Sequence, residues 1–166
     1  MQTQYLPIPN LARLGHKRLV AEPKPDLITI QRTPYPVLTN YLKLCRMLGV
    51  PPYCGRDFTD QGSANGVGCI TSGYRDTDLN SPHEYGIAID VIVGDVRAQV
   101  TAGRVALQYF CRVGLYPDNG IIHLDVAPEE WIVRHKKARF WVRYKGKYTT
   151  FNEYDEAACF AESLAI

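Results

Sequence analysis

The chain has 166 residues, a length that fits one domain able to bury about 70% of its unfolded surface without a covalent staple. Hydrophobic residues make up 46% and charged residues 22%, and the formal net charge of +2 excludes the strongly basic surface of a nucleic-acid binder. Five cysteines (Cys45, Cys54, Cys69, Cys111, Cys159) are an odd number without CxxC spacing, which argues against a secreted disulfide framework and against a cysteine-only zinc site.

The first twenty residues hold no continuous apolar core of a signal peptide, and no run approaches the ~20 apolar residues of a membrane span. The expectation is a protein made in the cytoplasm without a signal peptide. Residues 1–36 carry Pro7, Pro9, Pro23, Pro25, Pro34 and Pro36 and read as an extended N-terminal arm. From Pro36 the pattern turns helical, with Val37, Leu38, Tyr41, Leu42, Cys45 and Leu48 on one stripe and Gly49 as the stop. Pro51 and Pro52 force extended chain, and residues 55–67 form a polar, Gly-rich loop.

Residues 68–75, GCITSGYR, read as a strand ending in a polar rim, and residues 86–93, GIAIDVIV, as a central strand. Asp95 can cap a helix in which Val96, Val100, Leu107, Phe110 and Cys111 repeat, with Gly114 expected to end it. GLYPDNGIIHLDV carries a turn signal between two short apolar runs and predicts a hairpin. ARFWVRYKGKYTTF predicts a second hairpin turning near Lys145 and Gly146, and Asn152 a cap for a terminal helix. This order predicts an α+β fold with an antiparallel sheet and packed helices.

An isolated carboxylate in an apolar strand, Asp90, needs an explanation, because an unpaired buried charge costs several kcal/mol. His83, seven residues earlier, and His123 on the predicted hairpin supply one: two imidazoles and one carboxylate are a ligand set for a catalytic zinc with an open fourth position. The same residues also read as unrelated, with Asp90 bonding backbone amides and the histidines ordinary; the HxxxxxxD spacing does not decide between the two. His16 and His135, in LGHKR and VRHKK, lie in basic, exposed contexts that do not suggest ligation. On a strand, His123 and Asp125 point to one face and Leu124 to the other. The aromatic and basic residues of the second hairpin suit packing first and a partner contact second.

SGYRDTDLNSPHEYGIAIDV followed by GLYPDNGIIHLDV resembles the hedgehog/D-alanyl-D-alanine peptidase superfamily of zinc peptidases, over residues 68–128. The family pattern is SGYR, then SxHxxGxAxD, matched by Ser81, His83, Gly86, Ala88 and Asp90, then a hairpin matched by Tyr116, Pro117, His123 and Asp125. The flanking arm and C-terminal region carry no family signal; with the single domain expected from length and the hairpin and helix read over 138–166, the expectation is one zinc peptidase-like domain across 1–166. The resemblance implies Zn2+ held by His83, Asp90 and His123, and Arg75 at the cleft acting on a substrate carboxylate or carbonyl. Ser81 and Tyr85 are the further expected substrate-side residues, with Tyr74 a neighbour of the cleft.

Many relatives carry an acid three residues before the last histidine, where this chain has Gly120, and the loop between Arg75 and His83 is short. Asp125 is then either the catalytic base or the residue that orients a histidine ligand; Asp118 and Glu84 are weaker substitutes. The implied activity is hydrolysis of peptidoglycan stem or cross-link peptides, as in a phage-type lysin delivered to the wall by lysis or a virion. The alternative is a non-catalytic zinc-binding structural or binding protein, such as a phage virion component.

Overall fold

The computed structural model describes residues 35–49, 53–54, 69–72 and 81–165. Residues 1–34 of the N-terminal arm (His16 among them), the Gly-rich loop, Tyr74 and Arg75 lie outside the described residues, and the last two positions of the arm belong to a helix. Helix α1 (Tyr35–Leu48) forms over the expected stretch: Val37, Tyr41 and Cys45 of the expected stripe are buried together with Leu44, while Leu38, Leu42 and Leu48 are partly buried, and Gly49 stops it at a φ of 66°. Two short strands follow, β1 (Tyr53–Cys54) and β2 (Cys69–Ser72), then β3 (Ala88–Ile92). Helix α2 (Val96–Ala106) is capped by Asp95, whose carboxylate accepts from the Ala98 N–H at 2.8 Å.

Helix α2 stops at Ala106, eight residues before the expected Gly114. Phe110 is buried beyond it, while Leu107 and Cys111 are exposed, so their helical spacing is a coincidence of a turn. Gly114 sits instead inside β4 (Arg112–Tyr116), which pairs with β5 (Ile121–Asp125) as the predicted hairpin. A short helix not read from the sequence, α3 (Glu129–Arg134), leads to β6 (Phe140–Tyr144) and β7 (Lys147–Phe151). Their turn lies where expected, with Lys145 and Gly146 both at positive φ. Helix α4 (Tyr154–Ser163) begins after Glu153 rather than Asn152, with no side-chain cap.

Among the described residues the seven strands form one sheet in the order β1-β2-β3-β5-β4-β6-β7. The sheet is mixed rather than antiparallel, because β1 pairs parallel with β2 and β4 parallel with β6. The second parallel pair arises because α3 carries the chain across β4 before β6 begins.

Alternation sorts the residues into two faces. Ile89 and Val91, Ile122 and Leu124, Val113 and Leu115, and Val142 point one way and form the core with residues of α1, α2 and α4. Burying a side chain of this size contributes roughly 1.5–3 kcal/mol. Helix α4 is tied to α2 by the Tyr154 hydroxyl, which donates to the Val100 carbonyl at 2.7 Å. The opposite face carries the polar residues.

Candidate metal centre

Register places the site. Asp90 of β3 pairs with His123 of β5, which pairs with Gly114 of β4, which pairs with Trp141 of β6. One step along the same face, Ala88, Asp125 and Arg112 form the next row. His83 comes from a compact turn over residues 81–86. There the Glu84 N–H donates to Ser81 O, the Gly86 N–H to His83 O and the Ile87 N–H to Pro82 O. The Ser81 hydroxyl accepts from the His83 N–H at 3.3 Å, which fixes the turn that presents the imidazole.

The three expected ligands meet. His83 Nε2 lies 3.2 Å from His123 Nδ1 and 3.4 Å from Asp90 Oδ1, and His123 Nδ1 lies 2.9 Å from Asp90 Oδ1. All three residues are buried. Donors around a tetrahedral zinc at ~2.0–2.1 Å sit about 3.3–3.4 Å apart, so the triangle has the dimensions of three corners of such a site.

The hydrogen bonds behind His123 decide which nitrogen faces the cluster. Asp125 Oδ2 accepts from the Arg112 guanidinium at 2.8 Å and stands 2.9 Å from His123 Nε2. A carboxylate oxygen already serving a guanidinium is an acceptor, so Nε2 carries the hydrogen. In a neutral imidazole, Nδ1 is then a bare lone pair facing the Asp90 carboxylate and His83 Nε2. Acceptors at this separation repel unless a cation stands among them.

A proton is the minimal cation. Burial disfavours the charged His123 ring, but its bonds to Asp125 and Asp90 outweigh burial and raise its pKa. Burial likewise disfavours the Asp90 carboxylate, yet His83 and His123 beside it hold its pKa well below the usual carboxylate range. A divalent ion satisfies the same three atoms at once, and the donor set of two imidazoles and a carboxylate suits zinc chemistry.

Asp125 is fully buried, and its other oxygen accepts from the Ala127 N–H at 3.1 Å. It sits across the His123 ring from Asp90 and His83, in the position of an orienting residue. Arg112 was not singled out by sequence reasoning; its Nε donates to the Ala138 carbonyl at 2.8 Å, and its guanidinium lies over the Trp141 and Trp131 rings, 4.8 and 5.6 Å from their centroids. Only the pairing of Arg112 with Asp125 across β4 and β5 exposes its role, and no local motif carries that signal.

Trp141 approaches His123 to 5.1 Å between ring centroids. Gly114 makes this possible, because a Cβ there would lie 2.3 Å from Trp141 Cε2. Gly120 is also structural. At a φ of 71° it closes the β4–β5 turn, and its carbonyl accepts from the Val93 and Gly94 N–H groups. A Cβ there would lie 3.0 Å from the Gly94 carbonyl oxygen, so the position resists any side chain.

Of the remaining expected residues, Ser81 lines the cavity beside the cluster. Tyr85 is half exposed and packs edge-on against Trp131 at 6.1 Å, not on the cavity wall. Asp118 is exposed and accepts from the Lys145 N–H at 2.9 Å, which links the two hairpin turns. His135 stacks on Trp131 at 4.5 Å and takes no part in the cluster. Among the described residues no helix is long and apolar enough to cross a membrane. Comparison of the chain with protein-family models, with curated proteins and with solved structures gives no match.

Proposed function

We propose that this chain is a zinc-dependent peptidase of the hedgehog/D-alanyl-D-alanine peptidase type, acting on peptidoglycan peptides. The observation that carries the reading is the inward-facing triangle of His83, Asp90 and His123, with His123 held by Asp125 so that its Nδ1 faces the other two. A zinc ion held there supplies Lewis acidity to a carbonyl and an activated water near neutral pH. The cavity of about 450 Å3 opens on His83 and His123 and gives a peptide a place beside the ion.

In this reading Asp125 and Arg112 orient His123 and keep its ligating nitrogen aimed at the cluster. The Tyr116 hydroxyl, on the cavity wall, is available to a polarised carbonyl. Arg75 is assigned to the substrate carboxylate by the sequence resemblance alone. Delivery to the wall by a phage or a virion belongs to the same proposal.

One observation favours the second reading, a non-catalytic zinc-binding structural or binding protein. Among the described residues the cavity wall carries no free acid: Asp125 is spent on three donors, and position 120 is a turn glycine. Elemental analysis of purified protein together with digestion of peptidoglycan separates the readings. Bound zinc with released peptides, both abolished in His83→Ala, supports the peptidase. Bound zinc with no peptide release from any wall type supports the binding protein, and a chain that retains no zinc refutes both.

A further inference from the structure

The cavity wall beside His123 holds one buried donor without an acceptor. Trp141 is only 7% exposed, and its indole Nε1 is buried without a hydrogen-bond partner. The indole N–H points at the Tyr116 hydroxyl as a side-chain hydrogen-bond donor, but the pair falls short of ordinary hydrogen-bonding geometry, so the indole stays unsatisfied. An orphaned buried donor of this kind costs about 1–3 kcal/mol unless a ligand or water completes it. Arg112, the other buried donor on this wall, is committed to Asp125 and Ala138.

Lys136 and Lys137 stand on the rim of the same cavity, both exposed and, among the described residues, neither in an ion pair. Their placement is enforced. The Lys137 N–H donates to Ile132 O and the Lys136 N–H to Val133 O, which closes the end of α3 in a Schellman motif. That motif favours glycine at its left-handed position, yet the residue is Lys136 at a φ of 50°. Backbone strain of this kind concentrates at ligand clamps. One fixed N–H and two mobile ammonium groups suit a monoanion with two acceptor oxygens. The one guanidinium lining this cavity among the described residues, Arg112, is already committed to Asp125 and Ala138, and so offers no free fork to a phosphate.

We propose that this wall is a carboxylate subsite, in which Trp141 Nε1 donates to one oxygen and Lys136 and Lys137 neutralise the charge. Resting on the peptidase reading, the subsite selects peptides that carry an acidic group beside the bond presented to the metal. The subsite itself does not depend on the ion.

The full chain contains only two tryptophans, so 15N-labelled protein has two indole N–H resonances, with Trp131 an internal control that does not line this cavity. Loss of one resonance in Trp141→Phe, or in Trp131→Phe if the former does not fold, assigns the pair. N-acetylglycinate and its neutral amide are titrated into the metal-free and zinc-loaded chain. The carboxylate is expected to shift the Trp141 resonance and leave Trp131 in place, with the amide at least tenfold weaker. The surface double variant Lys136→Asn/Lys137→Gln is expected to weaken carboxylate binding about tenfold; asparagine tolerates the left-handed backbone. No Trp141 shift, equal binding of acid and amide, or wild-type affinity in the double variant overturns the subsite, and inorganic phosphate binding more tightly than acetylglycinate overturns its assignment to carboxylate. In His83→Ala, a retained Trp141 response with zinc binding lost supports a subsite independent of the metal. Zinc bound by the wild type without any Trp141 response leaves the metal reading standing and removes the subsite.

Discussion

Asp125→Asn separates orientation from folding. The substitution keeps the shape but replaces the carboxylate that accepts from Arg112 at 2.8 Å, from His123 Nε2 at 2.9 Å and from the Ala127 N–H at 3.1 Å. Arg112 is 5% exposed, so its guanidinium would be left buried without a counter-charge. Breaking one side of a buried pair costs roughly 3–5 kcal/mol. The amide also lets His123 adopt the other tautomer, which turns an N–H toward Asp90 and His83. Loss of such an orienting partner typically weakens metal binding 10- to 100-fold. Denaturant unfolding of the metal-free chain reads the first effect, and competition for zinc against a chelator of known affinity reads the second. Arg112→Met/Asp125→Leu tells the two apart. Removing both charges restores most of the metal-free stability, because no uncompensated ion remains, but it does not restore zinc affinity. Wild-type zinc affinity in Asp125→Asn, or recovery of zinc affinity in the double variant, would refute the orienting role.

Metal-free and zinc-loaded protein are expected to respond to pH with opposite signs. The raised His123 pKa means that its stabilisation is fully present below its ordinary 6.5 and is lost as pH rises through the folded value. The depressed Asp90 pKa means that stabilisation is lost only as pH falls below its ordinary 3.8. Unfolding midpoints of the metal-free chain therefore fall from pH 6 to 8, while those in excess zinc rise, because the ion displaces the proton; parallel trends would contradict the shared site. Gly114→Ala drives a methyl into Trp141 and should cost about 1–3 kcal/mol in denaturant midpoint while shifting the His123 ring resonances; unchanged resonances would show that the indole is not held by this contact. Burial pushes the Cys45 thiol up to about 12 against a hydrogen bond from Tyr41, whereas Cys111 and Cys159 are exposed. Brief alkylation at pH 8 followed by peptide mapping should label Cys111 and Cys159 and spare Cys45, and early labelling of Cys45 would contradict the packing of α1.

Local patterns carried the elements that close on themselves. The α1 stripe, the Asp95 cap and both hairpins follow from spacing and turn residues within about fifteen positions, and they form where expected. The three proposed ligands were legible only in part: a charged residue in an apolar strand demands a partner and few histidines were available, but spacing left two readings open and the family resemblance singled out the set. The end of α2 was misread because Leu107 and Cys111 continue the helical spacing by chance while facing solvent.

What the chain alone determined is which residues had to be satisfied: Asp90 could not stay buried and uncompensated, and the strand bearing it could not lie at the surface. What only the tertiary structure decided is who satisfies whom. Arg112 meets Asp125 through the β4–β5 register, and Trp141 reaches His123 over Gly114 because β6 pairs parallel with β4. Such neighbours follow from burying a whole sheet face against α1, α2 and α4, a condition on all strands together that no stretch of sequence contains by itself.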